Sequence, residues 1–235
     1  MSRNYLAFDI ETAKIPEEGK SLQEARPLGI CCWATAWMED GEIKVETGHG
    51  NPSGSPSPMM SVEECVDLVD LLKELHFLFD YTILTHNGVG FDLDILAEES
   101  GMRKECAELA MNSVDTMFHF FCLQGYPVGL DAISKGMGLK GKTEGMHGGL
   151  APVMWAEGKF EEVLAYVTQD VISTLEVALA VEKEKRVKWI SKRGKLNIVH
   201  IPRWLTAEES LTIREPDTSW MTDPMRRSKF LEWMK

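Results

Sequence analysis

The sequence predicts an α/β domain whose mixed β-sheet is flanked by helices, followed by a C-terminal extension. Three observations predict it: an apolar, strand-like run opens the chain, two more strands follow through short turns, and a helix, a short strand and further helices come after them. That order favours a mixed sheet over a doubly wound parallel one, in which strand and helix would alternate throughout.

Tyr5–Ile10 (YLAFDI) is apolar until Asp9 interrupts it, the pattern of a buried strand that delivers a carboxylate to its end. Gly29–Met38 (GICCWATAWM) is a second apolar strand, and Glu39-Asp40-Gly41-Glu42 turns into a third, Ile43–Thr47. Residues 48–58 (GHGNPSGSPSP) carry the Gly, Ser and Pro of an exposed loop. Ser61, with Glu64 three positions later, is a capping box that opens an amphipathic helix to about Phe79, with Val62, Cys65, Val66, Leu68, Val69, Leu72 and Leu75 mostly inward. Tyr81–Thr85 is a short fourth strand ending in His86-Asn87-Gly88, and Phe91–Ser100 is a helix stopped by Gly101. Val114–Phe118 reads as a fifth strand or a short connection. Leu130–Met137 reads as a helix closed by Gly138, residues 140–149 (KGKTEGMHGG) as a second glycine-rich loop, and Phe160 to about Trp189 as one long helix.

A chain of 235 residues supports one substantial core, and the expected division is a domain over 1–186 with a basic, Trp-containing extension over 187–235. The net charge of -12 argues against a protein that grips a polyanion over its whole surface. Its distribution is uneven: from residue 183 onward there are thirteen Lys or Arg against seven Asp or Glu, leaving twelve against thirty before it. Divalent cations held by acidic side chains would also offset part of that charge. The five cysteines, Cys31, Cys32, Cys65, Cys106 and Cys122, lack C-x-x-C spacing, so core thiols are expected in place of a zinc ribbon or disulfide framework. The start shows no apolar signal segment and no apolar run nears the roughly 20 residues of a membrane span, so a cytoplasmic protein is expected.

The chemistry is concentrated in acidic residues. Asp9 and Glu11 alternate at a strand end, which points both side chains to one face. Asn87-Gly88-Val89-Gly90-Phe91-Asp92 places an aspartate where a strand hands over to a helix. Tyr166 and Asp170, four apart, share one face of the long helix. Each has an ordinary structural explanation when taken singly: an acidic pair at a strand end, a capped turn, a surface Asp beside a half-buried Tyr. Several carboxylates meeting at one point, however, suit Mg²⁺ or Mn²⁺, which prefer oxygen ligands.

Together, D-x-E, N-x-x-x-F-D and Y-x-x-x-D, in this order, resemble the three signature motifs of the DEDD exonuclease superfamily, over Tyr5 to about Glu182. Tyr166 matches its DEDDy branch, since Ala165 stands where the sister branch has histidine, and the chain is most similar to a polymerase-B-like group within it. The resemblance implies a ribonuclease H-like fold and a two-cation 3′–5′ exonuclease acting on the 3′ end of single-stranded DNA or RNA. Asp9 would contact both cations, Glu11 and Asp170 would complete the site nearer the nucleophile, and Asp92 would hold the second cation, partly through water. Tyr166 would orient the attacking water, and in-line attack would release a nucleoside 5′-monophosphate.

Asn87, Phe91 and Thr12 are candidates for contact with the terminal nucleotide, each with an equally good structural role as turn cap, core anchor or strand-end cap. Asp94 and Asp115 match no ligand position and are expected either on a helix surface or supporting the site from behind. His86 is expected to be a hydrogen-bonded structural histidine, while Lys140, Lys142 and His147 lie in a loop that could meet substrate. The basic run Lys183, Lys185, Arg186, Lys188, Lys192, Arg193 and Lys195, with Trp189, Trp204, Trp220 and Trp233, suits a single strand as well as a solvated end whose tryptophans pack on the domain. Two other functions stay open: a non-catalytic nucleic-acid-binding or polymerase-partner module, and a structure-selective endonuclease. With no polymerase motif recognised on the chain, proofreading or repair would need a partner.

Overall fold

The computed structural model describes residues 3–16, 19, 21, 24–141 and 148–235. Strands β1 (Tyr5–Thr12), β2 (Ile30–Glu39) and β3 (Glu42–His49) form an antiparallel meander. After α1 (Val62–Phe77), β4 (Thr82–Thr85) returns parallel to β1. Beyond α2 (Asp92–Ser100) and α3 (Arg103–Asn112), β5 (Val114–Asp115) adds parallel to β4. The result is a mixed five-stranded sheet in the order β3-β2-β1-β4-β5, flanked by helices, an α/β architecture as the element order predicts. There follow α4 (Thr116–Gln124), α5 (Leu130–Met137), α6 (Ala151–Ala156), α7 (Phe160–Glu184), the hairpin β6 (Arg186–Ile190) and β7 (Leu196–His200), and α8 (Ala207–Leu211).

The central strand is apolar on both faces because both are covered. Leu6, Phe8 and Ile10 face a core that includes Leu68, Val69 and Leu72 of α1 and Leu93 and Leu96 of α2, while Tyr5 and Ala7 face Val163, Val167, Val171 and Leu175 of α7. Small side chains on the second face, Ala7, Ala34 and Ala36, leave room for α7 to lie across β1 and β2. By length and hydropathy α7 could cross a bilayer, but 56% of its most apolar window is buried in this fold, as befits a core helix.

Local signals place most boundaries. Ser61 and Glu64 form the expected capping box, and Gly101 and Gly138 end α2 and α5 in the left-handed region at φ 73° and 74°. Three expectations change. The long helix stops at Glu184, where Lys185 turns left-handed (φ 59°), because Arg186–Ile190 alternates exposed and buried side chains and pairs with Leu196–His200. Residues 103–124 hold two helices, and the fifth strand is only Val114–Asp115, since Asp115 accepts the Phe118 N–H and starts α4. The expected boundary at 186/187 falls inside β6, and the residues beyond it complete the main cores. Trp204 is fully buried and donates from Nε1 to the Ala178 carbonyl (3.1 Å), and neutral His119, its pKa lowered to about 4 by burial, accepts the Leu205 N–H.

Gly136 shows how tightly the hairpin is seated. A Cβ there would stand 2.4 Å from the Lys188 carbonyl oxygen and the Trp189 Cα, both backbone atoms that cannot swing aside. Alanine normally stabilises a helix interior by about 1 kcal/mol over glycine. Gly136→Ala is expected to do the reverse, costing about 2 kcal/mol as α5 and β6 separate, and urea unfolding of the variant checks the sign.

Candidate active site

Asp9 and Glu11 continue the face of β1 that carries Tyr5 and Ala7, so alternation turns both carboxylates toward α7. A register shift sets in immediately after them: Glu11 pairs with Cys32 but Thr12 with Ile30, leaving Cys31 as the extra residue of a β-bulge. Cys31 thereby joins Cys32 on the α7 side, and its thiol donates to the Thr12 carbonyl (3.4 Å). Asp92 arrives from the other direction, at the first turn of α2, where a carboxylate is favoured by the helix dipole. Its Oδ1 accepts the Ile10 N–H at 3.1 Å, which ties α2 to β1 between the two acidic residues.

Tyr166 and Asp170 lie buried one turn apart on α7. Asp9, Glu11, Asp92, Tyr166 and Asp170, with Asn87 and Phe91, all line one cleft of about 340 Å³ at the C-terminal ends of β1 and β4. Three segments far apart in sequence thus converge. Thr12 is buried beside the cleft without lining it, and its hydroxyl donates to the Lys14 carbonyl at 3.1 Å, the strand-end cap foreseen as its structural role.

Burial and mutual repulsion make the cleft a poor place for bare negative charge. Burial first, then the charges of Asp92, Glu11 and Asp170, hold the Asp9 carboxyl well above the ordinary range, and a hydrogen bond with Asp92 acts in the same direction. Asp92 is pushed up to about 6, chiefly by burial, against the lowering effect of its hydrogen bonds with Asp9 and the Ile10 N–H. Among the described residues no three His, Cys, Asp or Glu side chains already close around one point as a metal cage. In kind, the donors still fit hard divalent cations: all are carboxylates, and no Lys or Arg is among the described residues that line the cleft.

Asp115 emerges as the brace of the site. Its buried carboxylate accepts the N–H groups of Asn87 (3.0 Å), Val89 (2.9 Å) and Phe118 (2.9 Å), fixing the turn that carries Asn87 and Phe91, with Asn87 at φ 81°. Asp115→Asn would aim an amide N–H₂ at a backbone donor in a buried site, and an expected loss of about 2–3 kcal/mol is measurable by chemical denaturation. Asp94 is ion-paired with Arg26 and does not line the cleft, whereas His86 lines it and meets the Thr116 hydroxyl through Nδ1 at 2.8 Å, the hydrogen-bonded role expected of it. Lys140 contacts the Gln169 side chain (3.4 Å), whereas Lys142 and His147 lie outside the described residues. In the basic run, Arg186 and Lys188 pair with Glu184, and Lys192, Arg193 and Lys195 lie at the hairpin tip. Trp189 and Trp204 pack into the core, Trp220 is 68% exposed, and Trp233 is half-buried.

Phe230 is a contributor that no local signal marks, and Trp233 is the tail tryptophan that joins it. Trp233 donates from Nε1 to the Val89 carbonyl (2.8 Å), and Phe230 packs on Phe118 and Phe121 so close to Gly90 that a Cβ there would lie 2.7 Å from its ring. The end of the chain therefore backs the turn that carries Asn87.

Comparison with known proteins adds no relative: the chain matches no protein-family model, and no curated protein is similar to it. Fold and cleft define it as an α/β protein with a mixed, helix-flanked sheet and a carboxylate-rich cleft.

Proposed function

We propose that the chain is a two-cation 3′–5′ exonuclease of the DEDDy type, on a ribonuclease H-like fold, that removes nucleoside 5′-monophosphates from single-stranded DNA or RNA. One observation carries the reading: Asp9 and Glu11 from β1, Asp92 from α2, and Tyr166 and Asp170 from α7 line the same cleft. Nothing in local structure requires these four acidic side chains, with Asp131 as a fifth, to collect there. Their mutual repulsion lowers stability, so a ligand of opposite charge is the natural reason for the arrangement.

Asp9, Glu11, Asp92 and Asp170 would hold the cations, Mg²⁺ or Mn²⁺, which when bound make water more acidic and stabilise the departing 3′ oxygen. The chain's own groups do the rest. Tyr166, held by α7 one turn before Asp170, lines the cleft, where its hydroxyl would orient the attacking water. Asn87 and Phe91 line the wall available to the terminal sugar and base, by hydrogen bond and by packing. A 5′ label reads the polarity: single-stranded DNA and RNA incubated with Mg²⁺ or Mn²⁺ should shorten from the 3′ end, and EDTA should stop it. Cleavage of a 3′-blocked strand would point to an endonuclease. No cleavage of either polymer by folded protein would favour a non-catalytic binding module, with a polymerase or repair partner to be sought.

A further inference from the structure

A second cavity, of about 660 Å³, adjoins the carboxylate cleft, and the two share Asn87 and Met117 in their walls. Their chemistries differ. The cleft presents acidic groups and no Lys or Arg among the described residues, whereas the adjoining cavity sets Arg26, Arg103 and Lys229 among Asp94, Glu98 and Glu232, around an apolar wall that includes Trp233. We infer that this cavity seats the nucleotides immediately 5′ of the terminal one, so that the C-terminal segment 225–235 forms part of the strand-binding surface. The inference rests on the exonuclease reading for the direction of the strand.

The charges support that occupant. Arg26 is engaged with Asp94 and Glu98, so its charge is largely spent inside the protein. Lys229 and Arg103 are not so committed. Lys229 meets Glu232 only at 3.8 Å with both side chains more than half exposed, a pair easily given up to a phosphate, and the exposed Arg103 spends one donor on the Lys235 carbonyl (3.1 Å). Cations beside an aromatic wall suit a single strand, whose backbone needs charge and whose bases need an apolar face. Volume agrees as well: pockets of about 300–1,000 Å³ hold ligands the size of a nucleotide or two, so the cleft takes the terminal residue and its larger neighbour the two before it. In a chain of net charge -12, two exposed cations beside an acidic cleft give the phosphates a defined place to go.

The test is fluorescence anisotropy of 5′-labelled oligothymidylates of two, four and eight nucleotides, with Ca²⁺ in place of Mg²⁺ and across a range of salt. The Arg103→Gln/Lys229→Gln double variant is compared with the wild type and with Lys192→Gln/Arg193→Gln, which removes two cations at the hairpin tip. Wild-type affinity should rise from two to four nucleotides. The cavity variant should lose that gain, bind the longer strands about tenfold more weakly, and reduce the slope of log K on log salt by about 1.4, since each phosphate contact contributes about 0.7 on a single strand. Unchanged affinity and slope in the cavity variant, or an equal loss in the hairpin variant, would overturn the proposal. Length-dependent binding that the cavity variant abolishes, in a wild type that cleaves nothing with Mg²⁺, would leave the seat standing and overturn the exonuclease reading. A wild type that binds no oligonucleotide would overturn both.

Discussion

Asp9→Asn is expected to lower the rate of 3′-terminal hydrolysis by about three orders of magnitude or more, while making the metal-free protein more stable. The first effect follows from position: Asp9 stands among Glu11, Asp92 and Asp170, so its loss would weaken both proposed cation sites at once, and a thousandfold loss is about 4 kcal/mol of transition-state stabilisation. The second follows from electrostatics. Burial and three neighbouring carboxylates oppose ionisation of Asp9, and an amide of the same shape removes that repulsion while it can still donate a hydrogen bond to Asp92. Single-turnover digestion of a 5′-labelled strand measures the rate, and thermal unfolding in EDTA measures stability. Activity within tenfold of wild type would remove Asp9 from the cation site, and a lower melting temperature in EDTA would contradict the repulsion argument.

Stability without metal should fall as pH rises, and Mg²⁺ should reverse the fall. Asp92 is pushed up to about 6 from an ordinary 3.8, so between those values the folded chain holds a proton that the unfolded chain has released. The folded state binds more protons there, so stability declines from about pH 4 through about pH 6 and stays lowered above it. At 1.36 kcal/mol per unit, two units amount to roughly 3 kcal/mol, and Asp9, also raised, adds in the same direction. Cations need the ionised carboxylates, so Mg²⁺ should stabilise strongly at pH 8 and weakly at pH 5. Urea unfolding at pH 5, 6.5 and 8, in EDTA and in Mg²⁺, separates the cases. Stability that is flat or rising with pH in EDTA, or an Mg²⁺ effect independent of pH, would mean the carboxylates are not gathered as described.

Much of the fold was legible because its signals are local. The strand at Tyr5, the capping box at Ser61 and Glu64, and the glycine stops at 101 and 138 are each decided by a few adjacent residues, and the structure has them where the sequence places them. The failures cluster where packing overrides pattern. A helical period continues past Glu184 in the sequence, yet Val187 and Trp189 are buried as alternate residues of a strand, because a hairpin partner at Leu196–His200 and the backbone of α5 at Gly136 await them.

The candidate site divides in the same way. Alternation along β1 and four-residue spacing on α7 determine, from sequence alone, that Asp9 and Glu11 share a face and that Tyr166 and Asp170 share another. Whether those faces meet depends on α7 crossing β1 over the small side chains of Ala7, Ala34 and Ala36, and on the Ile10 N–H binding Asp92, both contacts between distant segments. Only the tertiary structure decides the raised carboxyl of Asp9, the brace formed by Asp115 and the return of Trp233 to Val89. Burial and close charge are properties of space, and residues 144 positions apart carry no local mark of becoming neighbours.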